Sequence, residues 1–312
     1  MDLRSLRYFV SAAKLNSISK AANQLHVAQP ALGRQIRKLE KDLGVELLGR
    51  DSRGVQLTEA GARLLDKGES ILRQIEQATA EVRSCGKDPQ GSVSVAIMPS
   101  VAALFAPQLV TRVRERYPAV KLQISEGLTT FIVGGLLGKK FDLGLIPARP
   151  VDPALSTIPL LTEPMFLIGP GREFADGDAR SPVTLKQLGR FPLLLPSRGN
   201  TLREQIETVA KRNKIQLDVR ENVDSSAVIK HLVLSGLGYT IQCYSFVHEE
   251  TERGELQVRP LRIPGLSRQW ALARLREQPE SFVSVVTARV MLEIASELSR
   301  RTGWSAPERS AK

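Results

Sequence analysis

Two groups of residues in this 312-residue chain have the types and spacing to do chemistry. In the first, Gln29, Gly33, Arg34, Arg37, Lys38 and Lys41 lie on the polar faces of a helix whose apolar row is Leu32, Ile36, Leu39 and Leu43. A helix of this kind fits the major groove of B-DNA, where a glutamine pairs bidentately with adenine and an arginine donates to guanine or to a phosphate. The same face on an ordinary bundle helix is only a solvated surface, so the pattern needs its context. The second group is made of hydroxyls that follow strands and open helices: Ser100 after Met98-Pro99, Thr129 and Thr130 after Gly127-Leu128, and Asn200-Thr201 after Ser197-Arg198-Gly199. Hydroxyls and free backbone N–H groups at such places hold a carboxylate or another small anion, with Arg149 as counter-charge. The plainer reading is that Ser100, Thr130 and Thr201 are helix caps.

Other chemistries find no support. Two cysteines, Cys85 and Cys243, make neither a disulfide framework nor a four-cysteine zinc site, and His26, His231 and His248 lack metal-ligand spacing. The stretch 133–140 imitates a phosphate-binding loop without its first glycine, and Lys140 stands where a hydroxyl would meet magnesium. The stretch 235–240 lacks the third glycine of a dinucleotide fingerprint and follows a helix instead of a strand. No nucleophile elbow occurs. The expectation is a protein with no catalytic residues, no metal and no cofactor. Cys243 reads as a structural thiol, because neither Gln242 nor Tyr244 lowers its pKa.

The elements that position the first group read as a small basic module. Residues 1–58 carry a net charge of +5 out of +11 for the chain, residues 59–90 carry −1, and residues 91–312 carry +7 spread diffusely. Such a balance points to polyanionic partners. Leu3, Leu6, Phe9, Val10 and Ala13 give a first helix one apolar stripe, and a second begins near Ser17 or Ser19, either of which can cap it. Pro30 suits the first turn of the third helix, which ends before Gly44. Residues 47–57 read as two short strands around an Asp-Ser-Arg-Gly turn, a wing with Arg50 and Arg53 at its tip.

The run from Leu6 to Gly61, with its AQPALGRQIRKLE and RGVQLTEAG stretches, closely resembles the winged helix-turn-helix of the LysR-type transcriptional regulators. The resemblance implies a helix-turn-helix over 18–37, with Gln29, Pro30 and Arg34 at the DNA and Arg53 in the wing; Ser19, Arg37, Lys38 and Arg50 complete the expected DNA-facing set. Gly33 departs from the family's usual Ser and Leu48 from its usual Phe. Gly33 removes a hydroxyl that could bond a phosphate and costs helix stability of up to about 1 kcal/mol relative to Ala.

From Thr58 a helical pattern continues for some 26 residues, with Leu64, Leu65, Gly68, Ile71, Leu72, Ile75 and Val82 on one stripe. It either packs on its own domain or pairs with a second copy, and lying between two domains it favours pairing. The resemblance implies dimers through this helix and, commonly, tetramers, so two-fold symmetry predicts an AT-rich pseudo-palindromic double-stranded DNA site. A break at 85–91 separates this linker from the rest.

Beyond it, strands over 92–97, 121–125 and 141–146 alternate with helices over 102–117 and 131–138, a βαβαβ unit with a parallel sheet. A second set occupies about 162–264, with strands at 165–169, 191–196, 216–221 and 239–241 and helices at 202–214 and 227–235. The strand 269–274 and the helix 281–300 return to the first lobe. The fold class is therefore α/β: a winged helix-turn-helix (1–58), a linker helix with hinge (59–90), and a two-lobed effector domain (91–312, lobe I about 91–161 and 265–302, lobe II about 162–264). Its two crossings make a cleft like that of periplasmic binding proteins, which is the effector domain the resemblance implies.

The reading is a cytoplasmic bacterial regulator, activator or repressor. A small anionic effector alters its DNA binding or bending and its contact with RNA polymerase. Within the family the effector domain is most similar to the nitrogen-assimilation-control branch. No run of about 18 apolar residues suggests a membrane partner. The competing readings are a solute-binding or enzymatic α/β protein with an appended basic module, and a DNA-binding architectural protein that needs no ligand.

Overall fold

The computed structural model describes residues 1–51, 54–84, 89–148, 152–171, 181–263, 266–277 and 281–302. Arg53, Arg149 and Cys85, and the side chain of Arg50, lie outside the described residues.

The first helix, α1 (Leu3–Lys14), is capped by the Asp2 carboxylate, which accepts from the Ser5 N–H, and it buries Leu6, Phe9, Val10 and Ala13. For α2 (Ile18–Gln24) the cap is Ser17, whose hydroxyl accepts from Lys20 N–H; Ser19 stays exposed in the first turn. The turn into α3 (Gln29–Leu43) is made by His26 in the left-handed conformation, and α3 ends on Gly44 at φ +71°. Leu32, Ile36 and Leu39 are fully buried among the three helices, whereas Leu43, expected in the same row, is 40% exposed because the last turn runs past the small core.

The wing is an antiparallel pair, β1 (Leu48–Asp51) and β2 (Gly54–Leu57), with Leu48 opposite Leu57. One carboxylate oxygen of Glu40 on α3 accepts both the Leu47 and Leu48 N–H groups, at 3.0 and 3.1 Å, which fixes the wing to the helix. The linker helix α4 (Glu59–Ser84) starts at Thr58, whose hydroxyl accepts from Gly61 N–H and donates to the Glu46 carbonyl. Leu64, Leu65 and Leu72 pack on the core of the first three helices, and Gly68 admits Leu6 and Val10. The own-domain packing weighed for this helix therefore holds for part of its stripe, while Ile71 and Val82 remain exposed. On another side, Ser70 and Arg73 both donate to the Lys139 carbonyl of the larger domain.

The larger domain opens with β3 (Gly91–Ile97), α5 (Pro99–Arg116), β4 (Val120–Glu126), α6 (Thr129–Leu137) and β5 (Leu143–Pro147), followed by a 16-residue strand, β6 (Leu155–Pro170). The second lobe contributes β7 (Val183–Thr184), α7 (Leu185–Leu188), β8 (Leu193–Leu195), α8 (Thr201–Arg212), β9 (Val219–Asn222), α9 (Ser226–Leu234), β10 (Thr240–Cys243), a 3-10 turn (Tyr244–Phe246), α10 (His248–Glu252) and β11 (Leu256–Arg262). The chain returns through β12 (Ser267–Leu275) and α11 (Phe282–Thr302).

Strand β3 lies between β4 and β5, parallel to both, as the alternating pattern predicts. The sheet is nevertheless mixed, because β12 runs antiparallel to β5 and to the first part of β6. The far part of β6 then pairs antiparallel with β10 and β11 in the second lobe, so one strand belongs to both lobes. Its Pro159 is accommodated where the pairing with β12 shifts register between Trp270 and Ala271, a bulge of the kind that tolerates a missing donor. One core gathers around Val95, Phe105, Leu145, Trp270 and Met291, and another around Leu167, Leu195, Ile206 and Ile241. Helix α11 packs on α5, where Arg112 grips Glu297 with two hydrogen bonds of 2.8 and 2.6 Å.

Candidate functional site

The face of the N-terminal unit opposite its core is polar and open. Gln29 and Pro30 stand exposed in the first turn of α3, Arg34, Arg37 and Lys38 follow on the same helix, and Ser19 is exposed on α2. Ala28 precedes α3 without a side-chain cap; Pro30 has no N–H and the Ala31 N–H donates to the Ala28 carbonyl at 2.9 Å, which leaves the Gln29 N–H to face an anion. Gly33 is buried, yet a Cβ there would meet nothing within 4 Å. The wing is tied to α3 by Glu40, and its Val55 N–H donates to the Asn16 carbonyl just past α1.

The cleft assembles differently from the hydroxyl constellation drawn from the sequence. A cavity of about 120 Å³ lies between α8 and the start of β12, and its described lining includes Ala148, Thr201, Gln205, Ser267, Arg268 and Gln269. Gln205 bridges its mouth by donating to the Ser267 carbonyl at 2.8 Å. Thr201 is thus at the cavity, in the first turn of α8. The Asn200 side chain caps α8 by accepting from Leu202 N–H. Thr129 Oγ1 donates to Met98 Sδ at 3.5 Å, and Thr130 is exposed. Neither threonine is in the cavity lining. None of Ser100, Thr130 and Thr201 is a cap: those places belong to Met98, Leu128 and Asn200. Ser100 is buried, and its Oγ accepts from Arg268 at 3.0 Å.

Behind the cavity lies a buried polar network at the crossing between lobes. Glu163 on β6 pairs in register with Arg268 on β12, is fully buried, and accepts from the Ser245 N–H and from the Trp270 indole N–H. Burial pushes its carboxyl above the ordinary glutamate range, opposed by the hydrogen bonds from Trp270 and Ser245 and by the charge of Arg268. Cys243 is buried beside it. Burial first, and the neighbouring Glu163 second, push that thiol well above its ordinary value, which keeps it protonated and unreactive.

Arg268, Glu163 and Trp270 escaped the sequence reading. The available signal was modest: one acid in the mostly apolar run 158–169, and an arginine and a tryptophan two apart, hence on one face of a strand. Among the described residues no group of three His, Cys, Asp or Glu could hold a metal ion, and no helix is long and apolar enough to cross a membrane.

Comparison with known proteins agrees with this architecture. The family model described as the LysR substrate binding domain matches residues 86–296, and that described as the bacterial regulatory helix-turn-helix protein, lysR family, matches residues 3–62. The HTH-type transcriptional regulator BbuR of Bordetella bronchiseptica is 32% identical over 266 residues, covering 85% of this chain and 81% of BbuR. The nitrogen assimilation regulatory protein nac of Klebsiella aerogenes is 31% identical over 246 residues, 77% of this chain and 78% of nac. The full-length structure of CbnR in complex with its target DNA aligns over 94% of this chain and 100% of CbnR with a TM-score of 0.73; at 21% identity that likeness shows the fold alone. With both units matched across most of its length, the chain belongs to the LysR family of bacterial helix-turn-helix transcriptional regulators.

Proposed function

We propose that this regulator reads an AT-rich, pseudo-palindromic double-stranded DNA site as a homodimer or homotetramer, and that a small anionic effector between the lobes controls that binding or the DNA bend. The observation that carries this reading is the exposed first turn of α3, with Gln29 and Arg34 clear of the core and the wing fixed beside them. Gln29, Pro30 and Arg34 meet base edges; Ser19, Arg37, Lys38, Arg50 and Arg53 meet phosphates. The functional units are residues 1–58, 59–90 and 91–312. The exposed Ile71 and Val82 on α4 support pairing of linker helices between subunits. The chain works in the cytoplasm, contacts RNA polymerase when bound upstream of a promoter, and performs no catalysis.

We infer that Ser100 and Thr201 serve the effector, and Thr129, Thr130, Asn200 and Arg149 are the further candidates for it. Footprinting of the purified protein on the DNA upstream of its own coding sequence tests the DNA reading. A protected two-fold site at modest salt is expected; equal binding to that DNA and to random duplex would overturn it.

A further inference from the structure

The network at the lobe crossing contains a proton count. Ser245 Oγ lies 3.0 Å from the Ser100 carbonyl and 3.0 Å from Glu163 Oε2, and it has one proton to give. That proton can fully serve only one of the two acceptors. A proton on Glu163 Oε2 resolves the conflict: the acid donates to Ser245 Oγ, Ser245 donates to the Ser100 carbonyl, Oε2 still accepts from Trp270 at 2.9 Å, and Oε1 still accepts from Ser245 N–H at 2.7 Å. Burial of the carboxyl favours the same neutral form. The titratable groups facing Glu163 are Arg268 from β12 and Cys243 from β10, and the thiol is itself held neutral.

With Glu163 neutral, Arg268 is the charge left in this network. The residue is 5% exposed, its guanidinium lies over the Trp270 ring at 5.3 Å and donates to Ser100 Oγ, and among the described residues no carboxylate stands at ion-pair distance from it. A buried cation without a counter-ion is unfavourable unless something supplies the opposite charge. This one lines the cavity. Ser100 is outside the cavity lining; its Oγ accepts from Arg268 behind the cavity and so fixes the guanidinium. The cavity's 120 Å³ corresponds to the liquid volume of about four waters, room for roughly four to six non-hydrogen atoms.

The geometry points to a small monocarboxylate as the effector, its charge matched by Arg268, whose guanidinium Ser100 holds from behind. This rests on the cleft being the effector site, and it names the ligand's chemical class. Glu163 is a positioning residue: through Trp270 and Ser245 it fixes Arg268 and Ser100 without adding a negative charge. Among the described residues Arg268 is the one cation in the cavity lining, so a dianion exceeds its charge and a neutral amide forfeits it.

The test uses the full-length protein with acetate and pyruvate as probes and acetamide and succinate as controls, read by thermal unfolding and calorimetry at constant ionic strength. Acetate and pyruvate are expected to bind and stabilise, the controls not. Arg268→Gln is expected to lower affinity at least tenfold and Ser100→Ala roughly tenfold. Arg268→Lys, which keeps the charge and loses the fork, should retain weakened binding and carries the test if the Gln variant fails to fold. At neutral pH the infrared band of a protonated carboxyl should be present and should vanish in Glu163→Gln. Anion binding unchanged in both Arg268→Gln and Ser100→Ala would overturn the assignment, and a missing infrared band would overturn the role of Glu163. Stabilisation by a neutral ligand or a dianion instead, abolished when Gln205→Trp fills the cavity, would overturn the monocarboxylate and leave the cleft standing as the effector site. Ligand binding indifferent to Gln205→Trp would overturn both.

Discussion

A glutamine amide at the start of an exposed helix offers one donor and one acceptor in a plane, which is what the major-groove edge of adenine matches. Gln29→Ala is therefore expected to cost about 1–3 kcal/mol on the specific site and little on random duplex, as measured by competition mobility shift. Equal losses on both would assign Gln29 to the backbone. Glu163 poses a different question at the same scale. Its folded carboxyl lies above its unfolded value, so the stability it contributes is complete below the ordinary glutamate pKa and is lost as pH rises through the folded value. Glu163→Gln cannot ionise. It carries a fixed cost of about 1–3 kcal/mol because the amide nitrogen cannot accept from Trp270, and across that window its stability is flat where the native protein's declines. Urea midpoints of both proteins from about pH 4 to about pH 8 should converge as the pH rises. Parallel curves would mean that Glu163 is not shifted.

Among the elements, α3 and the wing were legible in the sequence because each presents one apolar face at a regular period. Leu43 misled, since periodicity continues past the point where the core ends. Gly33 sits inside α3 with space where a Cβ would go, so Gly33→Ala should raise stability by up to about 1 kcal/mol through helix propensity alone. A lower urea midpoint would reveal a contact made only by the bare backbone. Gly61 is the opposite case. A Cβ there would run into the Leu47 carbonyl oxygen and Leu57, the place where α4 leaves the wing. Gly61→Ala should destabilise the N-terminal unit by about 2 kcal/mol or more and loosen the wing, seen as faster amide exchange in β1 and β2. Unchanged exchange would show that the helix shifts without disturbing the hairpin. Strands β6 and β11 were the least legible elements, because Pro159, Pro164 and Pro260 argue against central strands in sequence; the bulge opposite Pro159 resolves the contradiction only once β12 is in place.

For the whole molecule, two lobes and a basic reading head could be anticipated from alternating strands, helices and charge, whereas the constellation behind the cleft could not. Its members, Ser100, Glu163, Ser245 and Arg268, come from distant parts of the chain and meet only where β6 crosses between lobes. No spacing rule reaches that far, so Arg268 escaped the sequence reading; Arg149, the expected counter-charge, lies outside the described residues. The shared strand has a further consequence for folding. Because β6 pairs with β12 on one side of the crossing and with β10 and β11 on the other, neither lobe can lose it without unpairing the other. The effector domain should therefore melt as one calorimetric unit, with van't Hoff and calorimetric enthalpies equal, and two resolved transitions from it would contradict that. A form with one lobe folded and the other unravelled is then not a state the cell has to dispose of, and a protease that catches either lobe open gains access to both.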